Sequence, residues 1–556
     1  MGKPAKAVKT VDAMPPLVLG LYSPGMTPLM RAGLGGIAAS LRAIHLQRSP
    51  KEQWPRQGII TVTIGPGQAE VSSSGITFSW GDAPPSETLQ ALFDGSFRLS
   101  NLGLVDLPGT YDVTRPRGGN ADALFAAEQG ALKRTFLQHG KTTTKDGAAK
   151  TLTIEIDGQQ QSFMAQSYKA YAHQEVWSDL ALALPHRSLR LAGWAYPGAA
   201  QRHIKYPETS ADYSPQQALC ACFALVGCLS FLGPSSSGVL VTPEPDDLLR
   251  FAAIRPQLGA KRVVDVYVAG HVDAVLCVEV ALRAVARISE YQGRGVSAVS
   301  GVLLRATPWD SKQKYRVRTL PPTLFNDAQL DTYVESIAAL PTELRVTGGS
   351  KTGSAKTETD GAGFFAVTSE LRAFIAENLA LGRKWYCGFA TAKSSDPKEA
   401  RLLHRYRTGA KDLGALRAID RKGLIAMTAH LDSAEQALVH SVHVALRQRL
   451  GAIADECSGN TTQMYKRFEN ERDRWRFAFA GAKTHPQIRS ALADLWSRGG
   501  PNKELQQQWQ QVLPLLRPEH WQAARDLALI ALASYQSERT EQAEPVTTQD
   551  SDSSDA

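Results

Sequence analysis

Residues Pro16–His45 read PLVLGLYSPGMTPLMRAGLGGIAASLRAIH. The apolar run Leu17–Tyr22 predicts a strand, Pro24-Gly25 a turn, and the remainder a helix. Thr27 is placed to cap that helix, with Pro28 at its first position, where a missing N–H is harmless. Gly33, Gly35 and Gly36 then fall in the helix interior. Each costs up to about 1 kcal/mol relative to alanine. Three within one turn imply that another backbone, of protein or nucleic acid, approaches closely there. The string Gly33-Leu34-Gly35-Gly36-Ile37-Ala38 formally matches G-x-G-x-x-A. A dinucleotide fingerprint, however, needs its glycines in the turn directly after a strand and an acidic residue about 20 residues on. Here the glycines lie past the turn, and the next predicted strand, Gly58–Ile64, has no carboxylate near its end.

The 556 residues suffice for two to four domains. Apolar content of 43% and charged content of 21% are those of a globular chain. Six cysteines form no C-x-x-C pair, and Cys220, Cys222 and Cys228 sit in one apolar run, as buried thiols do. No run approaches about 18 apolar residues, so a cytoplasmic protein with no membrane partner is expected.

Up to residue 425 strands and helices mix, giving an α+β body. Gly58–Ile64 and Ile76–Trp80 alternate as half-buried strands, and Leu152–Ile156 with Gln161–Ala165 reads as a hairpin around Asp157-Gly158. Ala121–Gln138, Pro215–Leu232 and Val272–Glu290 read as helices. From Met427 the pattern is helical throughout. Met464, Phe468, Trp475 and Phe479 recur on one face, and Ile488, Leu492 and Leu495 on the next. Residues 427–540 are therefore expected to be a four- or five-helix bundle, and 541–556 an acidic, disordered tail.

Two motifs carry a family resemblance. One is the opening strand, Pro24-Gly25-Met26-Thr27 turn and Arg31-Ala-Gly-Leu-Gly-Gly36 helix. The other is Tyr196-Pro-Gly-Ala-Ala-Gln-Arg-His203, followed by the apolar stretch Ala218–Cys228. In these the chain resembles the large subunit of type I CRISPR effector complexes (Cascade), in the myxobacterial variant that includes the fruiting-body developmental protein DevT. The resemblance implies a non-catalytic, nucleic-acid-binding protein without cofactor. Its implied partners are a guide RNA, target double-stranded DNA, Cascade backbone subunits, and nuclease-helicase or transposition factors. It further implies flanking-motif (PAM) recognition and R-loop stabilisation in antiviral defence. The body, 1–425, would lie at the guide-RNA end, and the bundle would resemble a small subunit. Arg421-Lys422-Gly423 can be encoded by codons resembling a ribosome-binding site ahead of Met427, and related systems use an internal start to make a separate small subunit.

The net charge of +8 is concentrated. Lys312, Lys314, Arg316 and Arg318 alternate, so an unbroken strand would place all four on one face. That face suits a phosphate backbone, or simply a solvated edge strand. Residues 383–422 carry eleven Lys/Arg against four Asp/Glu, including Arg401, Arg405, Arg407 and Lys411. Trp385, Tyr386, His404 and Tyr406 are interleaved as candidate stacking surfaces. The loop 348–361 offers Lys351 and Lys356 but departs from the P-loop pattern, because Ser354 follows Gly353. Arg202, His203 and Lys205 follow the Pro197-Gly198 turn, where they would hold a phosphate, stack on a base or pair with a carboxylate. Lys466, Arg467, Arg472, Arg474 and Arg476 share a helix with Glu469, Glu471 and Asp473, which favours ion pairing.

Enzymatic patterns are weak. Asp265, His271 and Asp273 give a metal only three ligands. His440 and His443 lack the spacing and glutamate of H-E-x-x-H. A stand-alone nucleic-acid-binding or developmental regulator is the rival reading, and a metal-dependent nuclease the third.

Overall fold

The computed structural model describes residues 14–115, 120–137, 143–144, 148–156, 158–184, 187–191, 211–288, 293–307, 310–347, 363–393, 415–457 and 459–535. The chain divides into two compact units. The first is Met1–Leu330 with Thr342–Thr368, and the second is Asp331–Pro341 with Ser369–Ala556. Strands and helices mix in the first, and helices dominate the second, as an α+β chain requires.

In the first unit, β1 (Leu17–Gly20), β2 (Ile60–Ile64), β3 (Gly67–Val71) and β4 (Gly75–Ser79) form an antiparallel sheet of order β1-β4-β3-β2. Helix α1 (Pro28–Arg48) follows β1. Thr27 caps it as expected, its Oγ1 accepting from Met30 N–H at 3.3 Å, with Pro28 in the first turn. The three glycines meet neighbouring elements. A Cβ on Gly33 would lie 1.8 Å from Cys220 O, and one on Gly36 2.4 Å from Phe223 O. Both oxygens belong to helix α5 (Pro215–Gly227), whose own Gly227 would place a Cβ 1.7 Å from Ala32 O. The backbone predicted to approach α1 is therefore protein. Gly35 faces another neighbour, the Phe251 ring, 2.6 Å from its would-be Cβ.

Between these helices lie α2 (Pro85–Ser96), α3 (Ala121–Arg134), the hairpin β5 (Lys150–Ile156) and β6 (Gln159–Ala165), and α4 (Trp177–Ala183). Ser214 and Gln217 cap α5 reciprocally, Oγ accepting from Gln217 N–H and Oε1 from Ser214 N–H. Gln217 Nε2 also donates to Gly25 O at 3.2 Å, tying the opening turn to a helix almost 200 residues later.

The helix expected over Pro215–Leu232 stops at Gly227. Cys228 is extended (φ −78°, ψ 170°), and β7 (Leu229–Leu232) follows. An apolar run this short does not reveal its period, and the alternate burial of Leu229 and Phe231 settles it as strand. β7 pairs with β8 (Gly238–Pro245), then β9 (Val296–Thr307) and β10 (Asp310–Leu320), all antiparallel. Every residue of β8 is buried. Leu240 joins the core around α1, while Val239 and Val241 join a second core built on α6 (Leu248–Leu258) and α7 (His271–Arg287). A last hairpin, β11 (Glu343–Thr347) with β12 (Gly363–Val367), completes the unit.

The second unit takes the body of α8 (Asp327–Ala339), then α9 (Glu370–Ala380), α10 (Ala415–Thr428), α11 (Ser433–Glu456), α12 (Thr461–Gly481), α13 (His485–Gly499), α14 (Lys503–Val512) and α15 (Trp521–Ser534). Contacts from α10, α11, α12 and α13 surround α15, whose Leu527–Ala531 stretch is fully buried. Ile488, Leu492 and Leu495 are buried as their spacing predicts, as are Trp475 and Phe479, whereas Met464 and Phe468 are only half-buried.

Candidate nucleic-acid interface

Residues 310–320 do form a strand, β10, at the free edge of its sheet. Its register is not uniform. Arg318 pairs with Leu303, but Arg316 pairs with Leu304. Leu303 and Leu304 are consecutive and lie on opposite faces of the sheet. Val317 is thus the extra residue of a bulge in the strand. Arg318 is exposed, and its charge reaches His271. The side chains of Lys312, Lys314 and Arg316 lie outside the described residues. So do Arg202, His203, Lys205, Lys351, Lys356, Arg401, Arg405, Arg407 and Lys411.

Lys384 and Arg421 of the basic block serve the fold. Lys384 Nζ is 2.8 Å from both Asp432 Oδ2 and Glu435 Oε1. Those partners hold Lys384 above its ordinary pKa against burial, while Lys384 and the Glu435 backbone N–H hold the Asp432 carboxyl low against its own burial. Tyr386 OH donates to Glu435 Oε1 at 2.6 Å, and burial with that carboxylate pushes its pKa up. Asn378 Nδ2 donates to Trp385 O and Cys387 O, each at 2.9 Å. Asp526 accepts from Gly388 N–H at 2.7 Å and Ala390 N–H at 3.1 Å. Trp385 and Tyr386 are 3% and 2% exposed, so neither offers a stacking surface; the loop folds them inward. Arg421 donates to Tyr535 O at 2.7 Å, at the end of α15, and Arg472 lies 5.5 Å over the Tyr535 ring.

The charged face of α12 is ion-paired as its sequence suggests. Arg467 pairs with Glu456, Arg474 with Asp494 at 3.3 Å, and Arg476 with Asp473 at 2.9 Å.

The weak metal constellation dissolves into local structure. Asp265 accepts from the Lys261 and Arg262 N–H groups, and Asp273 Oδ2 from Ala269 N–H at 2.7 Å. His271 is buried, which with the Arg318 charge holds its pKa down to about 4. Among the described residues no cluster of three His, Cys, Asp or Glu could hold a metal. His443 Nε2 lies 2.9 Å from Ala531 O, and burial lowers its pKa to about 4. Burial pushes the Cys222 and Cys228 thiols up to about 12, as inert buried cysteines.

Sequence reading missed one feature of the bundle. A groove of about 640 Å³ is lined by Thr428, Ser433, Gln436, His440, Gln508 and Gln511, with no Lys, Arg, Asp or Glu on its walls. The signal was the glutamine-rich run Gln506–Gln511, which carries no charge to attract notice. Also among the described residues, no helix is long and apolar enough to cross a membrane.

Similarity to known proteins supplies the class. Residues 18–222 match the DevT N-terminal domain and residues 427–556 the DevT C-terminal domain. A protein of Myxococcus xanthus (strain DK1622) described as CRISPR-associated protein Cas8a1/Csx13 is 47% identical over 548 residues, which cover 97% of this chain and 92% of that protein. The chain belongs to the DevT family of CRISPR-associated large subunits.

Proposed function

We propose that this chain is the non-catalytic large subunit of an RNA-guided DNA-surveillance complex of the Cascade type. It binds guide RNA and target duplex, recognises the flanking motif, stabilises the R-loop and recruits a nuclease-helicase or transposition factors. Residues 1–425 act as the body, 427–540 as the small-subunit-like bundle, and 541–556 as a tail. One observation carries this: nearly the whole chain aligns with a CRISPR-associated protein at 47% identity. In such complexes base pairing reads the target, while the protein reads a short motif and holds strands by backbone contacts. The cations Arg202, Lys205, Lys312, Lys314, Arg316, Arg318, Lys351, Lys356, Arg401, Arg405, Arg407 and Lys411, with His203, are the proposed contacts.

The decisive test is purification of the tagged chain with its neighbouring gene products, followed by sequencing of the bound RNA. Backbone subunits and a short RNA of uniform length are expected; a chain that purifies alone and RNA-free is instead a stand-alone regulator. Changing Lys312, Lys314, Arg316 and Arg318 together to Glu should weaken duplex binding and flatten its salt dependence. Incubating the pure chain with Mg²⁺ or Mn²⁺ and labelled DNA should give no cleavage; cleavage lost in Asp273→Ala would make it a nuclease.

A further inference from the structure

The ion pairing on α12 has one exception. Arg472 is half-buried and makes no hydrogen bond among the described residues; its guanidinium carbon lies 5.5 Å over the Tyr535 ring. Arg421 of α10, also half-buried, serves the fold through one nitrogen, Nη2, which donates to Tyr535 O at 2.7 Å. Two guanidiniums therefore attend one residue at the end of α15. Among the described residues no carboxylate is paired with either. Burial and then the Arg421 charge hold Arg472 below the ordinary arginine pKa, and Tyr535 and Glu469 offset this only in part. The His443 ring, 5.8 Å from that of Tyr535, is neutral at pH 7 and adds no charge.

Bringing two like charges together, partly out of water, is costly. The ring contact and the bond to Tyr535 O account for the arginines singly, not for their pairing. A helix C-terminus attracts cations with the equivalent of roughly half a charge, which suits one guanidinium and not two. Both Nε atoms are shut in and without partners, so they serve nothing outside. Arg421 Nη1 and both η nitrogens of Arg472 are open to solvent and have no acceptor.

We propose that Arg421 and Arg472 form a binding site for a terminal phosphate group, a phosphomonoester held through their open η nitrogens. Guanidinium nitrogens match phosphate oxygens in geometry as well as charge. A phosphomonoester carries about −1.5 to −2 at neutral pH, close to what two guanidiniums at a helix C-terminus leave unbalanced. A backbone diester carries a single charge and leaves much of the excess in place. The group comes from the end of a nucleic-acid strand or from a free phosphate compound. The first source rests on the nucleic-acid-binding reading above; the second does not.

The test titrates the full chain with inorganic phosphate and UMP by calorimetry. Fluorescence anisotropy then follows a short labelled oligouridine bearing a 5′-phosphate, a 3′-phosphate or neither. A terminal phosphate should raise affinity about tenfold or more over the hydroxyl-ended strand, equivalent to about 1.4 kcal/mol. Binding of phosphate and UMP as well identifies a site open to free ligands; an advantage with strands alone identifies a strand end. Arg472→Gln should abolish the effect while melting no lower than the parent, because no hydrogen bond is lost and Arg421 loses a like charge. Arg472→Lys keeps the charge but not the planar fork; it should weaken the effect severalfold, and decides the matter if the Gln variant does not fold. Equal binding of the three strands with no binding of phosphate or UMP overturns the assignment. So does an effect that survives Arg472→Gln or is undiminished in Arg472→Lys. Phosphate binding that appears only after Glu538→Gln and Glu541→Gln also overturns it, by giving the pair to the chain's own tail. Absence of RNA from the purified complex would count against the surveillance reading alone, because the phosphate and UMP arms need no strand.

Discussion

The contact of α1 with α5 and the packing around α15 are two ways of closing a helical interface. In the first, Gly33, Gly36 and Gly227 let two backbones approach until no Cβ fits. In the second, apolar faces meet in the ordinary way and polar side chains lock the periphery: Asp526 on the 388–390 loop, Glu435 on Tyr386, Arg421 on Tyr535. The glycine contact has no slack, because backbone cannot move aside. The polar locks act singly, and each contributes on the scale of one hydrogen bond.

That contrast sets the order of expected effects. Gly227→Val places carbon 1.7 Å from Ala32 O, and should destabilise the chain by at least about 3 kcal/mol or prevent folding. A soluble variant with an unchanged melting temperature would refute the no-slack description.

Acid should act on the bundle through His443. Its folded pKa of about 4 lies below the ordinary 6.5, so the unfolded state takes up a proton that the folded state refuses. Stability is complete above pH 6.5 and declines as pH falls toward 4, by up to about 3 kcal/mol. Urea midpoints across that range should show the decline, and His443→Gln should make it shallower. His271 titrates in the same direction in the other unit and leaves a residual slope.

Tyr386→Phe removes one buried hydrogen bond to Glu435 and should cost about 1 kcal/mol in denaturant unfolding. Arg474→Gln breaks a half-exposed pair with Asp494 and should shift stability by no more than about 0.5 kcal/mol. If the order of these last two reversed, the bundle's surface pairs would matter more than its locks.

The same contrast explains what could be read from the chain. Glycine in a helix interior has few uses, so Gly33 and Gly36 announced a close backbone, and Thr27-Pro28 announced the cap. The segment Gly238–Pro245 gives no strand signal in the sequence, because Pro243, Glu244 and Pro245 disguise a strand buried along its whole length. Leu229–Leu232 reads as helix in the sequence because its run continues α5 without a break in apolarity. The charged block misled differently: Lys384 and Arg421 look like phosphate contacts by composition, and only the positions of Asp432, Glu435 and Tyr535 show them serving the fold. A bulge at Val317 depends on the partner strand and leaves no mark in alternation alone. The residues that carry the family resemblance and those that would carry binding are largely different sets.

The loop from Lys384 to Ala390 has a consequence for how the gene could be read. A polypeptide started at Met427 would omit every donor that this loop supplies. Asp526, 2% exposed and already held above the ordinary carboxyl pKa by burial, would lose both backbone N–H groups. Glu435 would lose Lys384 and the Tyr386 hydroxyl, and Tyr535 the Arg421 guanidinium. The shorter translation product would therefore not be the same bundle released from its body. It would be a polypeptide in which Asp526 retained the Arg525 guanidinium and Glu435 the Asp432 N–H but both had lost their other donors, and it would be less stable unless protons, or another chain, replaced the missing loop.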